Sequence, residues 1–176
     1  MIYRNETIDN LLERHRNALG GDYDKYRNHV YRVFLNCLLI DKKKVNEEKY
    51  AIAAVFHDIG IWTNHTIDYL DPSAEQASMY LNEIGKQEML SEIVVMIQWH
   101  HKTTQYQGMH AAITESFRRA DWMDVSLGVF NFGIDRKAIQ QNRKLFANRG
   151  FHLFLANKLF KNFFRHPYNP LPMFRK

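Results

Sequence analysis

Apolar residues that return every three or four positions, and almost nowhere every two, restrict this chain to helices. In the segment from about Asp22 to Ile40, Tyr23, Tyr26, Val30, Val33, Phe34, Cys37 and Leu38 fall at such steps. That spacing gathers side chains on one face of a 3.6-residue turn. No run alternates with period two, and no Asn-Gly or Asp-Gly pair offers a tight hairpin turn. The expected fold class is therefore all-α, a helical bundle whose helix ends are marked by glycine and proline. The expected helices run over 8–19 (stopping at Gly20-Gly21), 22–40, about 46 to 57–60, 71–84, 87–101, 111–127, 135–148 and 151–164. Asp71 is expected as an N-cap with Pro72 at the first helical position, Gly85 as a stop, and Asp135 as a cap. Nothing repeats at a fixed period and no linker interrupts the pattern. Residues 1–176 are thus expected to form a single domain, with its core at about 22–130 and basic, aromatic helices over 135–165.

Composition narrows the chemistry. Of the 176 residues, 45% are apolar, enough for a sizeable core. The single cysteine, Cys37, excludes an internal disulfide and a cysteine-rich zinc cluster. It sits in an apolar run and reads as a small buried hydrophobe. Any metal must then be held by histidine and carboxylate. The N-terminal stretch MIYRNETIDNLLERHRNAL lacks the apolar core and cleavage site of a signal peptide. No stretch approaches the ~18 apolar residues of a membrane span. The expectation is a soluble cytoplasmic protein.

The net charge of +5 is unevenly spread. Residues 136–176 hold ten Lys and Arg and no Asp or Glu, leaving 14 basic and all 19 acidic residues to positions 1–135. An acidic body suits a site that concentrates cations, and a basic flank suits an anionic ligand. In that flank Phe146, Phe151, Phe154, Phe160, Phe163 and Phe164 interleave with Lys and Arg. The favoured reading is amphipathic helices that bury Phe and show Lys to water. A nucleic-acid or membrane-surface patch is the other reading, and dimerisation through this segment stays open.

Nine histidines are present, and some lie in conspicuously apolar company. His29 lies in YRNHVYRV, His57-Asp58 close AIAAVFHDIG, His100-His101 close IVVMIQWHH, and Asp121 lies in FRRADWMDV. A polar group on a core-facing position is costly unless something satisfies it, and a divalent cation satisfies several at once. Each residue alone has a plainer reading: a hydrogen-bonded core histidine, a surface ion pair, an ordinary helix end. Adjacent helical residues point about 100° apart. His57 and Asp58 would therefore share an ion most readily at a fraying helix end, which Gly60 is expected to supply.

The order His29, His57-Asp58, Asp121, each on its own helix, resembles the HD domain superfamily of metal-dependent phosphohydrolases. YRNHVYRV looks like the first-histidine helix, AAVFHDIG like the central motif, DPSAEQASMYL and IVVMIQWHH like the following helices, and RRADWMDVSLG like the terminal aspartate helix. The likeness covers roughly residues 25–130. It implies an all-helical bundle in which His29, His57, Asp58 and Asp121 hold one divalent ion, whether manganese, iron, cobalt, nickel, zinc or magnesium. It further implies hydrolysis of a small phosphorylated substrate, nucleotides among the candidates, by water that the metal activates by lowering its pKa from 15.7 toward ~7.

Two positions depart from the pattern. Many members carry Lys after the central glycine, where this chain has Ile61. Two-metal members often carry His near the start of the next helix, where this chain reads Asp71-Pro72-Ser73. One ion is therefore expected, with His100, His101 or Glu75 as reserve ligands for a second.

His100, His101 and Lys102 are expected beside Asp58 in the catalytic set. Lys102, Arg118 and Glu75 are expected to meet substrate, since cationic donors stabilise a phosphoryl transition state. A surface role for Arg118 and Arg119 is the other reading, Asp124 is expected as a group orienting a ligand, and His65, Asp68 and His110 near an entrance. The alternative function is a degenerate domain that binds a nucleotide or partner without turnover. A basic helical nucleic-acid binder is the third and least favoured.

Overall fold

A computed structural model describes residues 3–169 and Pro172. Among them there is no strand, and the fold class is all-α as expected. Eight helices of nine residues or more carry it. They are α1 (Glu6–Arg14), α2 (Tyr23–Ile40), α3 (Glu47–Phe56), α4 (Leu70–Glu83), α5 (Leu90–Trp99), α6 (Ala111–Val125), α7 (Arg136–Leu145) and α8 (Phe151–Arg165). Two four-residue helical turns, Arg16–Leu19 and Gly60–Thr63, join α1 to α2 and α3 to α4. None of the described helices is long and apolar enough to cross a membrane.

Helix α3 sits at the centre because beyond its charged first turn it is apolar on every side. Residues 50 through 56 (YAIAAVF) are all buried, and a helix without a polar face has nowhere else to go. It packs against α1, α2, α4 and α5. Helix α2 runs along α6, and α4 along α5. Tyr26, Val30, Val33, Phe34 and Cys37 of α2 are buried, as are Phe117, Ala120 and Met123 of α6. At ~1.5–3 kcal/mol per buried large side chain, this core holds the helices that carry the polar cluster described below.

Several helix ends differ from the sequence expectation. The first helix breaks at His15, whose ring meets Phe56 edge-on at 5.7 Å. Helix α4 starts at Leu70, two residues before the expected first helical position at Pro72, and Leu70 is buried. Asp71 therefore stands in the first turn, not at the cap. Helices α5 and α6 end at Trp99 and Val125. Gly128 closes α6, its N–H donating to the Met123 carbonyl with φ at +83°. Helix α7 stops at Leu145, three residues short of the expected end, and its Asp135 cap accepts from the Lys137 amide as expected.

The helix end expected between His57 and Gly60 falls at Phe56, and Gly60 lies beyond it. It opens the next helical turn, and its amide donates to Ser73 Oγ at 3.0 Å. A Cβ there would sit 2.7 Å from the Tyr69 carbonyl oxygen. Glycine is required for close approach to the start of α4 rather than for its φ. Ile61, where the family pattern has Lys, is buried in the core.

Candidate metal centre

Four helices deliver side chains to one buried point. His29 comes from the middle of α2, His57 and Asp58 from the end of α3, His100 from the end of α5, and Asp121 from α6. All five are buried.

The backbone leaves α3 through tight turns, with the Ile59 amide donating to the Phe56 carbonyl and Ile61 to Asp58. The Asp58 amide is taken instead by the Tyr26 hydroxyl (3.3 Å), which itself donates to the Val55 carbonyl (2.7 Å). This change of path turns His57 and Asp58 to a common side, which a straight helix would not do.

Each of the three buried imidazoles is fixed from behind. His57 Nδ1 lies 2.8 Å from the Ala54 carbonyl, and His100 Nδ1 lies 2.6 Å from the Ile97 carbonyl. These carbonyls belong to the last turns of α3 and α5, where a helix leaves its acceptors unused. His29 Nδ1 lies 2.7 Å from Asp124 Oδ2. Since a carbonyl or carboxylate only accepts, the proton resides on Nδ1 and the Nε2 lone pair faces inward in every neutral ring.

Those inward atoms crowd together. His29 Nε2 and His57 Nε2 are 3.0 Å apart. Asp58 Oδ2 lies 3.6 Å from His29 Nε2 and 3.3 Å from His57 Nε2. Asp121 Oδ1 lies 3.6 Å and 3.7 Å from the same two nitrogens. His100 Nε2 is 3.4 Å from Asp58 Oδ1. Asp58 Oδ1, Asp121 Oδ1 and His100 Nε2 find no hydrogen-bond partner among the described residues although fully buried.

Lone pairs converging without protons between them repel, and unsatisfied buried acceptors are costly. A cation removes both penalties. Ligand atoms about 2.1 Å from one ion stand roughly 3.0–3.4 Å apart at octahedral or tetrahedral angles, close to the spacings found. The donor set therefore fits a divalent ion.

His29, His57 and Asp58 offer ligand atoms within 4.8 Å of one another. Asp58, His100 and His101 form a second such group, so Asp58 belongs to both.

Without a cation the charges settle among themselves. Burial works against a charged His29, yet the carboxylates of Asp124, Asp58 and Asp121 outweigh it and raise its pKa to about 9. Burial pushes Asp58 up, but His57, His100 and His29 hold it well below the ordinary carboxylate range. Burial raises Asp121. His101 is driven well below the usual imidazole value by burial and by neighbouring His100.

The surrounding shell is largely aromatic and ionic. Asp124, one turn beyond Asp121, accepts from His29 and also from Arg32 Nε (2.6 Å) and Nη2 (2.9 Å). Phe151, at the start of α8, stacks on His29 with centroids 4.0 Å apart. Neither Arg32 nor Phe151 was expected near the cluster. Arg32 carried a signal, since a charged residue three positions after His29 in an apolar helix must find a buried partner. Phe151 carried none beyond its apolarity.

The remaining expected residues divide. His101 Nε2 is 4.0 Å from Asp58 Oδ1, and its ring meets the Tyr69 hydroxyl. Its side chain is 16% exposed against 4% or less for His29, Asp58 and His100, so it marks the cluster's open side. Lys102 is half-buried just beyond, its Nζ 5.7 Å from the Trp99 ring centre.

Arg118, expected to meet substrate, is buried and bonded within the fold. Its guanidinium grips Glu115 through two bonds of 2.8 Å and donates to the Lys102 carbonyl. Its donors are therefore spent on the fold. Glu75 stands on the exposed face of α4 while Ser73, Ala74 and Ala77 face inward, and it belongs to neither ligand group.

His110 pairs with Glu92 and Ser91. His65 and Asp68 are exposed in the chain leading to α4. Of the tail aromatics, Phe146 and Phe151 are buried and Phe154 is half-buried, whereas Phe160, Phe163 and Phe164 are exposed. The expectation of inward-facing Phe thus fails for the last three.

Fold and centre together define an all-helical protein with a buried histidine–aspartate cluster that could hold a divalent metal ion. The chain matches no protein-family model, no curated protein and no solved structure.

Proposed function

We propose that this protein is a metal-dependent phosphohydrolase of the HD type, cleaving a phosphoester, with nucleotides among the candidate substrates. The observation that carries the reading is the set of three imidazoles whose Nδ1 protons are fixed outward, leaving Nε2 lone pairs and two carboxylates turned on one point. When bound, a divalent ion would supply an activated water and draw charge from a phosphoryl oxygen.

The chain's own residues do the rest. His29, His57, Asp58 and Asp121 form the primary ligand set, and Asp124 orients His29. Asp58 is shared with the His100–His101 group, which supports room for a second ion beside the first. His101 lines the open side, so a phosphoryl group approaching Asp58 passes its ring, and Lys102 follows it in the chain. A cationic donor at that mouth favours the developing charge of the transition state.

Elemental analysis of purified protein, combined with hydrolysis of a generic aryl phosphate, tests the reading. Asp58→Ala should lose both bound metal and turnover, and unchanged turnover would refute the site. The near-complete burial of the cluster favours one alternative, a domain that keeps its metal and binds a nucleotide or partner without turnover. Stoichiometric metal with no hydrolysis of any phosphoester offered would select it.

A further inference from the structure

A groove of about 670 Å³ lies between α8 and residues 65–67. Lys25, His65, Lys158, Lys161, Arg165 and His166 line it, and among the described residues no carboxylate does. Phe154 forms part of its wall, stacked on Trp62 at 5.2 Å with the rings nearly parallel. Lys158 Nζ is 5.6 Å and Lys25 Nζ 6.0 Å from the centre of that Phe154 ring, so two ammonium groups approach one aromatic ring.

Arg14, Arg16, Arg27, Lys49 and Lys86 each pair with a carboxylate, and Lys25 pairs with Asp22 at 2.6 Å. Lys158, Lys161 and Arg165 have no such ion pair among the described residues. They stand at i, i+3 and i+7 on one face of a helix that contains no Asp or Glu, an arrangement in which like charges repel. The row spans about 10 Å of helix, a length suited to several linked negative charges rather than one.

We propose that this groove is a second binding site, separate from the metal centre, for a ligand carrying a chain of phosphates. Its volume falls in the range of ~300–1,000 Å³ that holds small molecules, so a nucleoside polyphosphate or a free polyphosphate fits. No cluster residue lines it. The rings of Trp62 and Tyr26 lie between groove and cluster, with Trp62–Tyr26 centroids 4.5 Å and Tyr26–His57 centroids 6.3 Å apart.

The site does not depend on the phosphohydrolase reading, and one titration separates the two. Inorganic tripolyphosphate is titrated calorimetrically into the purified full chain, and ATP in a parallel run shows whether a nucleoside adds affinity. Lys158→Glu combined with Lys161→Glu should weaken binding about tenfold or more, with steep salt dependence in the parent. Asp58→Asn should leave it within about twofold, since Asp58 does not line the groove.

Lys161→Glu with Arg165→Glu, both at exposed positions, provides the same test should the first pair fold poorly. Binding that survives both charge reversals, or that disappears only in Asp58→Asn, overturns the proposal. So does affinity for single-stranded oligonucleotides that keeps rising with length beyond the groove, which would make α8 a nucleic-acid surface.

Discussion

Asp124→Asn probes the buried network behind the candidate metal ligands. Asp124 is wholly buried and accepts three bonds shorter than 3.0 Å, one from His29 Nδ1 and two from Arg32. Its pKa is held below the ordinary carboxylate range because the bond from His29 and the charge of Arg32 outweigh burial. The amide keeps the shape of the carboxylate but loses its charge and one acceptor, so Arg32 becomes a buried cation with a neutral partner. Breaking one side of a buried pair costs ~3–5 kcal/mol, and the retained acceptor places the change near the lower figure. For a chain of this length 1 kcal/mol shifts the melting temperature by about 2–4 °C, so a fall of roughly 6–12 °C is expected.

The same substitution loosens the His29 ring. Removing a carboxylate behind a metal-ligating histidine lowers metal affinity by ~10–100-fold. Thermal melting followed by circular dichroism reads the first effect, and titration with manganese or zinc reads the second. A variant melting within about 2 °C of the parent would show that the Arg32–Asp124–His29 network contributes little. Normal melting with normal metal affinity would also remove Asp124 from any role behind the ligands.

Gly60→Ala should destabilise the fold by ~1–3 kcal/mol in urea, because the new methyl meets the Tyr69 backbone oxygen at 2.7 Å and backbone must shift; an unchanged midpoint would contradict the packing argument. Phe151→Ala should cost ~3–5 kcal/mol for the cavity it leaves and speed metal exchange by uncovering His29, measured with a chromogenic chelator; unchanged exchange would mean that α8 does not cover the centre. Burial raises the Glu115 pKa, but bonds from Arg118 and the Tyr106 amide and the nearby Arg119 outweigh it and lower the pKa from 4.5. Its stabilising contribution is therefore complete above pH 4.5 and lost as pH falls through the lower folded value. Melting temperature against pH should fall more steeply below that point for the parent than for Glu115→Gln, and parallel curves would exclude Glu115 as a source of acid sensitivity.

Helical class, helix count and the main ligand candidates follow from local pattern. Periodicity of three and four is a property of neighbouring residues, and it placed all eight long helices to within a few residues. His29, His57, Asp58, His100 and Asp121 were visible because polar groups within apolar runs must be satisfied by something outside the run. Tertiary structure decided what satisfies them. Periodicity says that Arg118 and Asp121 lie on neighbouring faces of α6, but only packing commits Arg118 to Glu115 and turns Asp121 toward His29 and His57.

The same holds for His100. A histidine at a helix end is ordinary until α5 is laid against α3, when its Nε2 comes within 3.4 Å of Asp58. Phe151 lies 122 positions from His29 and yet stacks on it. No local rule anticipates such a contact, because the free energy that selects it comes from burying surfaces distant in sequence. Sequence periodicity fixes which face of each helix turns inward, and the sum of pairwise packing across helices fixes which inward-facing groups meet.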